Sequence, residues 1–265
     1  MDLGIEGRKA IVCASGRGLG KACAVALADA GVSLVLNGRD EKTLTATANE
    51  IVKATGVSVT PVIADISTKD GQAKVLDACP FPDILINNNG GPPFKDFREL
   101  DRDAMIDGVT MNMVTPIELI QKVVDHMISQ KFGRIVNITS MSVKMPVPGL
   151  DLSSGARAGL TAFLAGVSRT IADNNVTVNS ILPGFFDTDR LRGGLESWAK
   201  NTGVSVQEVA DDRASKIPAK RFGTPDEFGK ACAFLCSAHA GYITCLLYTS
   251  PSPRDRTRSR MPSSA

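Results

Sequence analysis

Residues 9–30 read KAIVCASGRGLGKACAVALADA, and this stretch decides the fold. An apolar run at residues 9–14 leads into a turn with Gly16, Gly18 and Gly20, and an alanine-rich helical pattern follows. Strand, glycine turn and helix in this order bring backbone N–H groups and the positive end of a helix dipole together, which favours a phosphate group. A tight turn without any ligand can use the same glycines, so the loop needs support from the rest of the chain.

Apolar runs alternate with amphipathic stretches along the remaining chain. The predicted strands are residues 9–14, 33–37, 58–63, 84–87, 134–138 and 177–181. The predicted helices are residues 18–30, 41–55, 69–79, 103–130, 155–174, 191–216 and 225–237. This order is typical of repeated βαβ units. It predicts the α/β class, with a single Rossmann-type, doubly wound parallel sheet in three layers (α/β/α), whose ligand crevice lies at the carboxyl ends of the strands.

The orderly pattern stops after Thr244. Residues 245–265 read CLLYTSPSPRDRTRSRMPSSA, which has no periodicity and is rich in Arg, Ser and Pro. A disordered basic tail and a nucleic-acid or membrane arm are two interpretations. We favour a third, because residues 245–250 back-translate as TGT-CTC-TTA-TAC-ACA-TCT and residues 251–255 as CCG-AGC-CCA-CGA-GAC, a match to a transposase sequencing adapter. We therefore expect one domain at residues 1–244, a disordered read-through artefact at 245–265, and a sheet whose last strand is missing.

Composition limits the remaining function classes. The chain has 265 residues, 43% of them hydrophobic and 22% charged, which suits one globular domain. The tail carries four Arg and one Asp, so the rest of the chain has a formal net charge of about −1, and an argument for nucleic-acid binding disappears with the tail. No apolar run reaches the roughly 18–20 residues that cross a bilayer, so we expect a cytoplasmic protein without a membrane partner. Six scattered cysteines predict buried thiols, and two histidines offer little for a metal site, so none is expected.

Four motifs resemble those of the short-chain dehydrogenase/reductase family, and the resemblance covers nearly all of residues 1–244. Gly18 and Gly20 match the last two glycines of its T-G-x-x-x-G-x-G turn, although Cys13 and Ala14 replace the Thr and the first Gly. Asp65 matches an acid beside the adenine ring, residues 87–90 match N-N-A-G, and residues 183–188 match P-G-x-x-x-T. The cofactor-binding residues that the resemblance implies are Ser15, Arg17, Gly18, Leu19, Gly20, Arg39, Asp65, Ile66, Asn88, Gly90, Pro183, Gly184 and Thr188.

The end of the second predicted strand indicates which nicotinamide cofactor is used. A carboxylate there accepts the ribose 2′-hydroxyl of NAD, whereas an arginine accommodates the 2′-phosphate of NADP. This chain has Asn37-Gly38-Arg39, and Asp40 is better explained as the N-cap of the next helix. Arg17 adds a second basic residue in the phosphate loop. Either arginine alone could be a solvated surface residue, but together they favour NADP (NADPH) over NAD.

The catalytic residues that the resemblance implies are Asn112, Ser140, Ser153 and Arg157. In the family a Tyr protonates the carbonyl oxygen and a Lys four residues later lowers the Tyr pKa and holds the nicotinamide ribose. Ser153 stands at the Tyr position and Arg157 at the Lys position. Because an alkyl hydroxyl is a far weaker acid than a phenol of pKa about 10, Ser153 is a poor general acid.

The leading interpretation is an NADP(H)-dependent oxidoreductase, similar to 3-oxoacyl-acyl-carrier-protein reductases, that acts on a small-molecule carbonyl or acyl substrate. A catalytically silent NADP(H) sensor or scaffold remains the alternative. Met141, Met145, Phe185 and Phe186 suggest an apolar substrate pocket, which fits hydrophobic ketones, acyl thioesters and sterol-like compounds equally. The resemblance further implies a homotetramer or homodimer once the C-terminus is restored, and an unpaired sheet edge predicts aggregation of the chain as written.

Overall fold

The computed structural model describes residues 1–92 and 94–249. Its strands are β1 (Lys9–Val12), β2 (Ser33–Gly38), β3 (Val59–Ile63), β4 (Ile84–Asn87), β5 (Gly133–Ile138), β6 (Val176–Leu182) and β7 (Leu247–Thr249). They form one seven-stranded sheet in the order β3-β2-β1-β4-β5-β6-β7, and every neighbouring pair is parallel. The strand order reverses between β1 and β4, which is the switch point where ligands of such sheets bind. The predicted doubly wound α/β fold is confirmed.

The α-helices cover both faces of the sheet. They are α1 (Gly18–Asp29), α2 (Glu41–Thr55), α3 (Lys69–Ala78), α4 (Arg102–Val109), α5 (Thr115–Ser129), α6 (Asp151–Ile171), α7 (Asp189–Thr202), α8 (Val206–Ser215) and α9 (Pro225–Cys236). Successive strand residues point to opposite faces, so Ala10 and Val12 pack with α1, α2 and α9, while Ile11 packs with α3, α5 and α6. Both faces are therefore buried, as in other parallel sheets.

Two long helical predictions are corrected by local geometry. The single helix expected at residues 103–130 is divided, because a π-helical turn at Thr110–Val114 separates α4 from α5. The helix expected at residues 191–216 is also two helices. Gly203 ends α7 with a φ of 74°, and Ser205 starts α8 with a capping box to Glu208.

The prediction of a missing last strand is wrong, because residues beyond Thr244 form β7. Leu247 pairs with Ser180 and Thr249 with Leu182. The approach is fixed by Asn179, whose Oδ1 accepts from Leu246 N at 3.0 Å. A sheet edge recruits backbone N–H and C=O groups whatever the side chains are, so a short apolar segment can complete it. The remaining tail, residues 250–265, lies outside the described residues.

Buried thiols were predicted, and five of the cysteines are buried: Cys13, Cys23, Cys79, Cys232 and Cys236. Cys245 is exposed, immediately before β7. Within the described ranges no group of three or more His, Cys, Asp or Glu side chains is arranged to hold a metal ion. In the same residues no helix is both long and apolar enough to cross a bilayer.

Candidate active site

The glycine loop between β1 and α1 is shaped for an anion. Helix α1 starts after Arg17 without a side-chain cap from any described residue, as do α5 and α6, whereas the other six α-helices each start with a side chain that accepts a backbone hydrogen bond. Gly18 has a φ of 60°, which disfavours other residues, and a Cβ on Gly20 would lie 2.3 Å from the Ala14 carbonyl oxygen. The first N–H groups of α1 thus lack a side-chain acceptor at the switch point, and they fit a pyrophosphate.

Neighbouring elements hold this loop in place. Ser15 is fully buried, its N–H donates to Asn37 O at 2.8 Å, and its hydroxyl donates to Val12 O at 2.9 Å. Ser15 therefore ties the loop to the backbone of β1 and β2. Asn88, at the end of β4, donates from Nδ2 to Ala14 O at 3.2 Å. Ala14 itself has a φ of 46°, so the loop carries backbone strain at the position where the family motif has glycine. Leu19 packs its half-buried side chain against the core.

The corner beyond β2 and β3 carries Arg39 and Asp65. Arg39 is exposed, and its Nη1 lies 3.7 Å from Asp65 Oδ2. The Ser67 hydroxyl lowers the pKa of Asp65, with smaller contributions from the Ser67 N–H and Arg39, so the carboxylate is ionised at neutral pH. Asp40 accepts from Thr43 N at 2.7 Å, which confirms the predicted N-cap of α2. Because the Asp40 carboxylate is hydrogen-bonded to the N-terminus of α2, the two exposed arginines of this corner, Arg17 and Arg39, can bind a phosphate.

A narrow cavity lies under the carboxyl ends of β4 and β5, with room for roughly one water molecule. Among its walls are the predicted site residues Ile66, Asn88, Asn112 and Arg157. The π-helical turn places Asn112 there, where its Nδ2 donates to Gly108 O at 3.3 Å. Six buried side-chain oxygens have no hydrogen-bond partner in the described part of the chain, and three of them belong to residues that line this cavity: Asn87 Oδ1, Asn112 Oδ1 and Thr115 Oγ1. Because buried polar atoms are rarely left unpaired, the cavity suits a bound water.

Arg157 and Ser153 meet beside this cavity. On α6, Arg157 Nε donates to Ser153 Oγ at 3.2 Å, and Nη1 donates to Ile138 O at 2.8 Å. Arg157 is only 8% exposed and forms no salt bridge with any described carboxylate. Burial, and then the charge of Arg190, lower the pKa of Arg157 to about 10, so the side chain is still a cation at neutral pH.

Ser140 follows β5, and its Oγ accepts from Ser142 N at 3.1 Å. Ser140 and Ser153 thus share one property. Each hydroxyl oxygen accepts a hydrogen bond from the protein, so each keeps its own O–H to donate to a bound molecule.

The segment after β6 reaches the phosphate loop through Thr188. Pro183 O accepts from Met141 N at 3.1 Å, and Thr188 caps α7 by accepting from Leu191 N. A Cβ on Gly18 would lie 3.8 Å from Thr188 Cγ2, so the two predicted residues are neighbours. Gly90 is exposed, and a Cβ there would meet no atom of the described residues within 4 Å.

Gly184 lines a second cavity instead, together with Phe185, Phe186 and Tyr248. That Phe185 and Phe186 form a substrate wall stays a prediction. Phe186 is buried in the core, with its ring centroid 5.2 Å from that of Phe228.

Sequence reasoning missed Arg190, in the first turn of α7. A Cβ on Gly91 would lie 2.9 Å from Arg190 Nη2, so the guanidinium rests on the loop after β4. Because the charge of Arg190 contributes to the lowered pKa of Arg157, the two guanidinium groups lie within electrostatic range of each other. The sequence offers one signal for this residue. Arg190 follows the P-G-x-x-x-T motif by two residues, and no acid lies four residues before or after it to pair with it on the helix.

Comparison with known proteins gives a consistent result. The family model for short chain dehydrogenase matches residues 8–197. The NADPH-dependent reductase BacG of Bacillus subtilis is 34% identical over 242 residues, covering 89% of this chain and 93% of that protein. The 3-oxoacyl-[acyl-carrier-protein] reductase FabG of Aquifex aeolicus is 31% identical, covering 92% of this chain and 96% of that protein. Among solved structures, L-sorbose reductase of Gluconobacter frateurii with NADPH and L-sorbose superposes with a TM-score of 0.90 at 26% identity, covering 95% and 97% of the two chains.

Proposed function

The chain belongs to the short chain dehydrogenase family, and from that premise we propose that it is an NADPH-dependent oxidoreductase that interconverts a carbonyl compound and an alcohol. One observation carries the proposal: α1 begins without a side-chain cap at the edge of the sheet where Arg157 meets Ser153. The similarity to BacG and FabG, named as reductases, supports the same reaction class. The cofactor residues are those of the glycine loop, with Arg17 and Arg39 at the 2′-phosphate.

Ser153 and Arg157 stand in this proposal where the family has its Tyr and Lys. NADPH supplies a hydride to the carbonyl carbon when it is bound. Ser140 and Ser153 donate their free O–H groups to the carbonyl oxygen and stabilise the negative charge that develops there. Arg157 polarises Ser153 through the 3.2 Å hydrogen bond and holds ribose hydroxyls with its remaining N–H groups. Its planar fork cannot serve as an acid at neutral pH.

The proton for the new hydroxyl comes from water in this proposal. The cavity beside Arg157 has room for roughly one water, and the unpaired oxygens of Asn87, Asn112 and Thr115 can hold it. Without a phenol, general acid catalysis is weaker, and that step is typically worth about 10² to 10⁴ in rate. We therefore expect a slow reductase.

Two measurements test the proposal. Fluorescence titration should show NADPH binding, and Arg39→Asp should weaken NADPH binding far more than NADH binding, whereas Lys53→Asp at the other end of α2 should change neither. A spectrophotometric carbonyl screen should then show turnover that Ser153→Ala reduces about tenfold or more. The matched control is Ser154→Ala, since Ser154 is equally buried and its hydroxyl donates to Leu150 O. NADPH binding without reduction of any carbonyl would favour the silent sensor.

We also infer a homodimer or homotetramer. Large apolar side chains are exposed on the helices that follow β4 and β5: Met105, Ile106, Val109, Val114 and Phe163. Such a patch on otherwise polar helices is typical of a subunit interface. Light scattering after gel filtration should give a mass that is a multiple of 28.0 kDa, and Val109→Lys should lower it to that of a monomer.

A further inference from the structure

Two cations face the candidate active site without an acidic partner among residues 1–92 and 94–249. Arg157 is more than nine-tenths buried, and both of its hydrogen bonds go to neutral oxygens, Ser153 Oγ and Ile138 O. A buried charge without a counter-ion is costly, so its retention needs a reason. No hydrogen bond of its Nη2 group is found in the described residues.

Arg190 is the second cation. It stands in the first turn of α7, and its guanidinium lies over Gly91, two residues from Asn89, which lines the cavity of Arg157. Arg190 has no salt bridge in the described part of the chain, and the nearby Asp187 is already held by two hydrogen bonds from Arg192, at 2.8 and 2.9 Å. The side chain therefore reaches from α7 to the loop after β4, with its N–H groups available at the mouth of the site.

We propose that Arg190, with Arg157 behind it, binds the carboxylate of the substrate, so that the protein reduces oxo acids in preference to neutral ketones and esters. The inference rests on the proposed function and names its substrate class. A carboxylate matches the fork of a guanidinium in a two-point hydrogen bond, and its negative charge reduces the repulsion between the two cations. In the reaction, hydride from NADPH reaches the carbonyl carbon, the C=O electron pair moves to oxygen, and that oxygen takes a proton from water. The products are a hydroxy acid, NADP⁺ and a hydroxide ion, which the solvent neutralises.

The cofactor pyrophosphate is the other anion that could use Arg190, because Thr188 lies beside Gly18 of the phosphate loop. The phosphate loop already offers the uncapped N-terminus of α1 to that group. Arg190 lies over Gly91 instead, in the loop whose Asn89 lines the same cavity as Arg157, which favours the substrate as its partner.

The test compares acids with their esters. The probes are 2-oxohexanoate and 4-oxopentanoate, each beside its methyl ester, with NADPH consumption as the signal. The wild-type protein should prefer the acids in kcat/KM by at least about tenfold. Arg190→Gln should lower kcat/KM for the acids by about 10- to 100-fold, mainly through KM, and change that for the esters by less than about twofold. Lys200→Gln removes a positive charge near the other end of α7 and should alter neither.

A binding measurement needs no turnover. Trp198 on α7 is the only tryptophan in the chain, so its fluorescence should change when hexanoate binds, with or without NADP⁺, and should not change with hexanamide. Arg190→Gln should abolish the hexanoate response.

Three results would overturn the inference. Equal reduction of acids and esters by the wild type would do so while leaving the proposed reductase intact. A parallel loss for acid and ester in Arg190→Gln, together with weaker NADPH binding, would assign Arg190 to the pyrophosphate. If NADPH failed to bind at all, the proposed function would fall, and the absence of a hexanoate response would then overturn this inference as well.

Discussion

Replacing Arg157 by Met should show that its charge is held for a ligand and not for the fold. Burial and the neighbouring Arg190 lower the Arg157 pKa to about 10. At about 1.4 kcal/mol per pH unit, the charged form costs the folded protein roughly 3 kcal/mol. Met has a similar length and fills irregular space, so it removes this cost. Against that gain, Ser153 Oγ and Ile138 O lose their donors, at roughly 1–3 kcal/mol for the buried carbonyl.

The two effects nearly cancel, so the free energy of unfolding of the ligand-free protein should change by less than about 2 kcal/mol. Urea denaturation measures it. Arg134→Met is the matched control. Arg134 is fully buried too, but it donates to Ser237 O, Gly133 O and Asn175 O, at 3.0, 2.9 and 2.7 Å. Its removal takes a donor from these three carbonyls and from Asn175 Oδ1, although Ala240 N and Gly133 N still donate to Ser237 O and Asn175 O, and it should cost several kcal/mol, on the order of 3–5.

The pH dependence follows from the direction of the pKa shift. Because the folded-state pKa of Arg157 is depressed, its cost is fully present below about pH 10 and is relieved only as the pH rises through that value. The stability difference between the wild type and Arg157→Met should therefore be constant between about pH 6 and pH 9. NADPH should stabilise the wild type far more than the variant. A loss above about 4 kcal/mol in the ligand-free variant would refute the reasoning, because the guanidinium would then be a structural group like Arg134.

Three further changes test the loop and the surface. Ala14→Gly should raise the free energy of unfolding by about 1 kcal/mol in urea, because the φ of 46° strains alanine; a decrease would contradict that strain. Gly20→Ala should abolish the heat of NADPH binding in calorimetry, because its Cβ would lie 2.3 Å from Ala14 O. Unchanged affinity would refute pyrophosphate binding at the phosphate loop. Hydrogen bonding to Arg221 lowers the Glu227 pKa to about 2, so this pair stabilises above the ordinary Glu pKa and is lost as the pH falls towards 2. Glu227→Gln should accordingly flatten the fall of Tm between about pH 4 and pH 2.

Local pattern was enough to predict most of the fold. The observed bounds of β4 and α2 equal the predicted ones. The apolar run marks β4, and the Asp40 N-cap and the Gly56 C-cap mark the two ends of α2. The divided helix around Asn112 could not be predicted in this way. Residues 103–130 keep an amphipathic helical pattern, and a π-helical turn changes the hydrogen bonding without interrupting that pattern. Strand β7 was also missed, since its three residues pair through the backbone and carry no alternation long enough to detect.

Residues of the candidate site that belong to a sequence motif could be predicted, whereas properties that depend on tertiary packing could not. Gly18, Gly20 and the Asp40 cap follow from their local geometry. The unpaired state of Arg157 does not, because a charge on α6 gives no sign in the sequence of whether a carboxylate faces it. Phe186 is a second case. Its ring packs against Phe228 in the core and also lines the cavity of Gly184, and the sequence alone does not separate these two roles.

The distribution of the cysteines has a practical use. Cys245 is exposed, while the other five thiols are buried. A maleimide dye should consequently couple to one sulfur per folded chain, at the edge of the sheet, and to all six only after denaturation. Mass spectrometry of timed alkylation would then count folded molecules directly, and the same dye would report on subunit exchange by energy transfer.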